Sequence, residues 1–70
     1  MGESVYKIIE LVGSSPTSWE EAAKMALEEA GKTLKNLRIA EVNKLDMRLE
    51  DGKVAAYRAR VTVSFKYEGR

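Results

Sequence analysis

Apolar and polar positions change their spacing several times along the chain, and each change marks an element. Val5 to Val12, Val-Tyr-Lys-Ile-Ile-Glu-Leu-Val, are β-branched and aliphatic, are closed by Gly13 and are too few for a typical helix, so they predict a strand. One side of it carries Val5, Ile9 and Leu11 with Lys7; the other carries Tyr6, Ile8 and Val12 with Glu10. In a lone three-stranded sheet one face should be mostly polar, so apolar residues on both predict that a second subunit covers one of them.

A turn-rich stretch, Ser14-Ser15-Pro16-Thr17-Ser18, leads into Ser18-Trp19-Glu20-Glu21. This quartet fits a capping box, with the Ser18 hydroxyl accepting from the Glu21 amide and Glu21 reaching back. Beyond it Trp19, Ala22, Ala23, Ala26, Leu27, Ala30, Leu34 and Leu37 recur at spacings of three and four, predicting an amphipathic helix with one buried stripe. Glu20 and Glu21 suit its positive end, and Lys32, Lys35 and Arg38 its negative end. Glu20-Lys24 and Glu28-Lys32 stand in the favoured i to i+4 order.

From Ile39 to Leu49 alternation returns through Ala40 and Val42, then slips one position to Leu45, Met47 and Leu49, which predicts a β-bulge near Asn43-Lys44. Asp51-Gly52 is the preferred pair for a two-residue type I′ hairpin. After it Ala55, Tyr57, Ala59, Val61, Val63, Phe65 and Tyr67 alternate with Ala56, Arg58, Arg60, Thr62, Ser64 and Lys66, giving a core face and a polar, basic face. The order is β-α-β-β. A right-handed crossover makes the first two strands parallel, with the last strand between them and antiparallel to both. The fold class is α+β, a small sheet with one helix on one face.

Seventy residues make a single domain, 1–70, whose own core rarely supplies more than roughly 3 to 5 kcal/mol. With no Cys and no His, disulfides and the usual zinc ligands are absent, which leaves oligomerisation as the stabilising device. The same absences remove nucleophilic mechanisms built on a thiolate or an imidazole, so no enzymatic role is expected; Lys44 or a carboxylate is the remaining route to one. Twelve basic residues against eleven acidic give a net charge of +1, no reason to expect nucleic acid or an anionic membrane as partner. No apolar run approaches a membrane span and the first residues lack a signal-peptide pattern, so a cytoplasmic location is expected.

Two groups of residues carry candidate chemistry. Arg58, Arg60 and Lys66 share one strand face at multiples of the two-residue repeat and could grip a phosphate; the plain alternative is that they pair with Glu41, Asp46 or Glu50. Asp46, Glu50 and Asp51, with Glu41, offer oxygens for a hard cation, for which symmetry-related copies of a carboxylate can complete a shell. Trp19 is read as a packing residue, as are Tyr57 and Tyr67, and the serines as turn and cap formers.

Val5-Tyr6-Lys7-Ile8-Ile9-Glu10-Leu11-Val12-Gly13-Ser14-Ser15, Ala40-Glu41-Val42 and Val61-Thr62-Val63-Ser64-Phe65 together resemble the dodecins, over residues 4 to 68. The resemblance implies a three-stranded antiparallel sheet wrapped around one helix, twelve copies assembled in a hollow homododecamer, and flavin (FMN or riboflavin) held in pairs near two-fold axes. Where that family places a stacking tryptophan this chain has Ile39, and where it places a glutamine this chain has Arg58. Ile39 cannot stack as an aromatic does, and Arg58 brings a charge in place of a neutral amide. Ser15-Pro16-Thr17-Ser18-Trp19-Glu20 and Arg38-Ile39 look more like the calcium dodecin branch, which implies calcium as ligand. The expected function is a non-enzymatic homo-oligomeric binding and storage protein. It would sequester a flavin-type cofactor or a cation at subunit interfaces, with Ile39, Arg58 and Arg60 as ligand-binding residues and Asp46 and Glu10 as metal residues. The alternatives are a calcium-binding dodecin without flavin, and an oligomer with a purely structural or interaction role.

Overall fold

The computed structural model describes residues 4–66. Four elements follow one another: β1 (Tyr6–Ser15), α1 (Trp19–Thr33), β2 (Leu37–Glu50) and β3 (Lys53–Lys66). The sheet order is β1-β3-β2, with β3 antiparallel to both neighbours, as the strand pattern predicts. The helix lies over β1 and β3 and touches β2 little. Under it Ala22, Ala26, Ala30, Ala59, Val61 and Val63 are buried, with Ile9, Leu11, Ala23, Leu27 and Leu37 packed around them.

Small residues set the helix close to the sheet. A Cβ added at Gly13 would lie 1.9 Å from the Ala22 carbonyl oxygen and 3.1 Å from the Ala26 Cβ, so only a residue without a side chain fits where β1 passes beneath α1. β1 runs on past Gly13, three residues beyond the expected end, because β3 is long enough to pair Gly13, Ser14 and Ser15 with Ala59, Arg58 and Tyr57. The Ser15 hydroxyl then accepts from the Thr17 amide at 3.1 Å and closes the turn into the helix.

At the N-terminus of α1 the Ser18 hydroxyl accepts from the Glu21 amide at 3.0 Å, the first half of the expected capping box. Lys32 pairs with Glu29 at 3.2 Å rather than with Glu28. The helix stops at Thr33, short of the apolar period that runs to Leu37: Leu34 is extended and Asn36 adopts a positive φ of 62°. Leu37 opens β2 instead and reaches the same core from the strand.

The hairpin forms as its sequence predicts. Asp51 and Gly52 both have positive φ, 53° and 75°, the signature of a type I′ turn. The bulge also falls where the alternation slips: Val42 faces Val61 and Lys44 faces Arg60, leaving Asn43 as the extra residue. Further shifts at Arg38 and Ala55 lie between Leu37 and Ile39 and between Arg48 and Leu49. Ala56, expected on the polar face, is buried; its short methyl group sits between Arg58 on its own strand and Arg48 opposite. Tyr67, predicted as a core residue, lies outside the described residues.

Candidate functional site

Register sorts side chains onto two faces, since directly paired residues point the same way. The helix side takes Ile9 and Leu11 of β1 and Ala59, Val61 and Val63 of β3, with Ala40, Val42, Leu45 and Met47 of β2 opposite them. Because α1 lies over the other two strands, that β2 row is left uncovered: Val42, Leu45, Met47 and Leu49 are all exposed. A groove of about 480 Å³ follows, lined by Trp19, Ala23, Val42 and Leu45 with Glu20 and Lys24 at its rim.

Trp19 is held firmly at the end of this groove. Its indole Nε1 donates to the Asp46 carbonyl at 3.0 Å, and its ring meets Tyr57 edge to face with centroids 5.2 Å apart. It packs on the sheet, as its place at the start of the apolar stripe predicts, and it ties the first turn of α1 to β2.

The other face is open. Along β3 it presents Arg58, Arg60, Thr62, Ser64 and Lys66, flanked by Ser14, Val12, Glu10, Ile8 and Tyr6 of β1 and by Asp46, Lys44, Glu41 and Ile39 of β2. All five predicted site residues, Ile39, Arg58, Arg60, Asp46 and Glu10, therefore belong to one surface. The bulge is what puts Asp46 there beside Ile39, because beyond Asn43 it brings even-numbered positions to the face that odd-numbered ones occupy before it.

Arg58 and Asp46 are brought together outright. The guanidinium grips the carboxylate through both oxygens, Nε to Oδ1 at 2.7 Å and an Nη to Oδ2 at 3.0 Å. That hydrogen bond holds the Asp46 carboxyl below the usual carboxylate range; desolvation opposes it, and the charges of Arg58 and then Arg60 add to the lowering. The same contact raises the Arg58 guanidinium above its ordinary value. Of the acids proposed as partners for the basic row, Asp46 takes Arg58, while Glu50 pairs with Arg48 at 2.6 Å.

Other site residues stay apart. Arg60 faces Val12 on one side and Lys44 on the other, two cations directly opposite each other. Glu10 and Glu41 flank Thr62 from opposite edges, and the Asn43 amide donates to the Thr62 hydroxyl. Glu10 is two rows from Asp46 and on the other edge strand, roughly 13 Å along the strand direction alone. Among the described residues no three acidic side chains gather into a metal-holding group. Ile39 stands exposed opposite Ser64, beside a shallow cleft of about 150 Å³ formed with Leu27, Leu37 and Val63.

Sequence reasoning missed the Trp19 bond to Asp46, because a backbone carbonyl acceptor leaves no mark in residue types. It also missed the facing of Lys44 and Arg60, for which the bulge at Asn43 was the available signal. Among the described residues no helix is long and apolar enough to cross a membrane.

The family model described as Dodecin matches residues 5–68. A calcium dodecin of Mycobacterium tuberculosis is 43% identical over 63 residues, covering 90% of this chain and 89% of the relative. A dodecin of Thermus thermophilus is 38% identical over 64 residues, covering 91% and 93%. Among solved structures, dodecin from Streptomyces coelicolor superposes over all of both chains with a TM-score of 0.92 at 31% identity. The Mycobacterium tuberculosis calcium dodecin, described as calcium-chelating with a novel calcium-binding site, superposes over 93% of each chain with a TM-score of 0.83 at 44% identity. The β-α-β-β order, the sheet order and the matched length agree with these relatives throughout, and the chain belongs to the dodecin family.

Proposed function

We propose that this chain is a non-enzymatic, cytoplasmic homododecameric storage protein that holds a divalent cation, calcium first, at its subunit interfaces. One observation carries the assembly: every residue of β2 from Arg38 to Glu50 is open to solvent, its apolar row included, so a strand of core-like composition has no core within its own chain. The cation is supported by the open face. Ile39 offers no aromatic ring for a flavin to stack on, and Arg58, at the position of an amide in flavin-binding relatives, is already occupied by Asp46. The Mycobacterium tuberculosis relative is named for calcium.

Asp46 and Glu10 supply the carboxylates. Since one chain keeps them apart, neighbouring copies bring them together, and calcium replaces the Arg58 guanidinium on Asp46. Arg58 and Arg60 are the groups that an anionic cofactor would use instead, with Ile39 as an apolar wall.

Replacing Arg58 by Ala separates these chemistries by sign. Freed from its guanidinium, Asp46 binds calcium more tightly in Arg58→Ala than in the parent, read by isothermal titration with calcium chloride. An anionic flavin such as FMN loses affinity in the same variant. Tighter FMN binding in the parent, or calcium binding weakened by Arg58→Ala, overturns the cation assignment; no binding of either by the parent leaves a purely structural oligomer.

A further inference from the structure

Two cations on the open face have nothing to hold. Arg60 and Lys44 are direct register partners on the same side of the sheet, and among the described residues neither makes an ion pair. Directly paired side chains leave the sheet about 5 Å apart, so like charges there repel unless a counter-charge enters the row. Lys44 would face the helix side in an unbroken strand; the extra residue Asn43 turns it to the open face.

The neighbouring rows add two features. One step along β3, about 7 Å away, Arg58 is held by both oxygens of Asp46 and has no charge to spare. One step the other way, the Thr62 hydroxyl accepts from the Asn43 amide. A hydroxyl that accepts through a lone pair keeps its own hydrogen for donation. On the far side of Arg60 stands Val12, which brings no competing charge.

We propose that Lys44, Arg60 and the Thr62 hydroxyl form a binding site for a phosphate dianion, free or as the end group of a monoester, whose affinity Asp46 limits by withholding Arg58. The two charges of the dianion match those of the row. The guanidinium fork takes two of its oxygens, and the ammonium and the hydroxyl take the rest. Glu10 and Glu41, on either side of Thr62, border the site. They leave room for one small dianion, whereas an extended polyanion such as nucleic acid runs onto their carboxylates. The site goes beyond the cation reading above and stands whether or not calcium takes Asp46.

Isothermal titration of the full chain with sodium phosphate tests it, in low-salt, calcium-free buffer at mildly alkaline pH, where phosphate is a dianion. Lys44→Gln and Arg60→Gln each weaken binding by about tenfold or more, the loss of one charge-assisted hydrogen bond. Arg48→Gln removes the same charge from a residue paired with Glu50 and leaves the affinity unchanged. Asp46→Asn releases Arg58 and tightens binding several-fold, and Arg58→Ala added to it abolishes the gain; Glu50→Gln, with the same change of charge, gives none. Ethyl phosphate binding as tightly as inorganic phosphate assigns the site to monoesters, and its exclusion assigns it to the free ion. Circular dichroism identifies a variant that does not fold; Lys44→Arg or Arg60→Lys then takes its place and keeps the affinity within a few-fold. A parent that binds neither probe, or an equal loss in Arg48→Gln, overturns the site. An Asp46→Asn affinity no higher than that of Glu50→Gln overturns the role of Asp46.

Discussion

Replacing Gly13 by Ala tests the closest approach in the fold. The new Cβ would sit 1.9 Å from the Ala22 carbonyl oxygen, and such contacts are not tolerated below 3.0 Å, so strand and helix must separate locally by at least 1.1 Å, the difference of the two. The obstacle is helix backbone, which has no rotamer to change. The surfaces that part are those that bury Ala22 and Ala26 against the sheet. A gap of about 1 Å forfeits up to half of the dispersion energy across the surfaces it opens. Overpacking of this kind costs about 2–3 kcal/mol, a large part of the roughly 3 to 5 kcal/mol that a core this small supplies. Urea unfolding followed by far-ultraviolet circular dichroism, at one protein concentration because assembly adds to stability, reads it as a midpoint about 2 M lower. Gly31→Ala is the control: that glycine is helical with nothing within 4 Å of an added Cβ, so the variant gains about 0.5–1 kcal/mol. A Gly13→Ala midpoint equal to that of the parent, or a shift of the two variants in the same direction, would refute the close-approach reasoning.

Trp19→Phe keeps an aromatic ring near Tyr57 but removes the donor to the Asp46 carbonyl. It is expected to cost about 1 kcal/mol and to lower the melting temperature by about 4–8 °C in a chain of this size, measured calorimetrically at matched concentration. An unchanged melting curve would show that the indole bond contributes nothing. Asp46 sets the acid behaviour. Its carboxyl is held below its unfolded value by Arg58, so the stability it contributes is complete above the ordinary carboxylate range and disappears as pH falls through the lower folded value. Melting temperatures of the parent and Asp46→Asn should therefore differ at neutral pH and converge in acid; a gap that widens on acidification contradicts the assignment.

Elements whose pattern depends only on neighbours were legible in the chain. β3 alternates without interruption, the Ser18 cap and the Asp51-Gly52 turn follow from local backbone chemistry, and the bulge at Asn43 shows as a slip in phase. The end of the helix was not legible, because Leu34 and Leu37 continue the helical period for a different reason: the core can be reached from a strand as well as from a helix, and Leu37 reaches it from β2. Glu50 was read as a partner for the basic row on charge alone; it pairs instead with Arg48, two residues before it on β2. The candidate surface followed the same rule. That Arg58 would find an acid could be read from composition, but which acid depended on the bulge, since a one-residue slip decides whether Asp46 or its neighbours face β3's arginines.

Asp46 is where the two faces of the sheet meet mechanically. Its carbonyl holds Trp19, and through it the first turn of α1, while its carboxylate holds Arg58 on the open side. A ligand that takes the carboxylate from Arg58 changes the charge of the open face by releasing a cation beside Arg60 and Lys44, both of which already lie in the basic row. Released, Arg58 adds its charge to that row. If calcium is held between neighbouring copies, as proposed, cation binding and assembly are coupled, and linkage requires the coupling to run both ways: a favourable effect of calcium on assembly is matched by a favourable effect of assembly on calcium affinity. Dilution that dissociates the assembly should therefore lower calcium affinity, and calcium should move that dissociation to lower protein concentration; a calcium affinity that is the same in the assembled and the dissociated protein would refute the coupling.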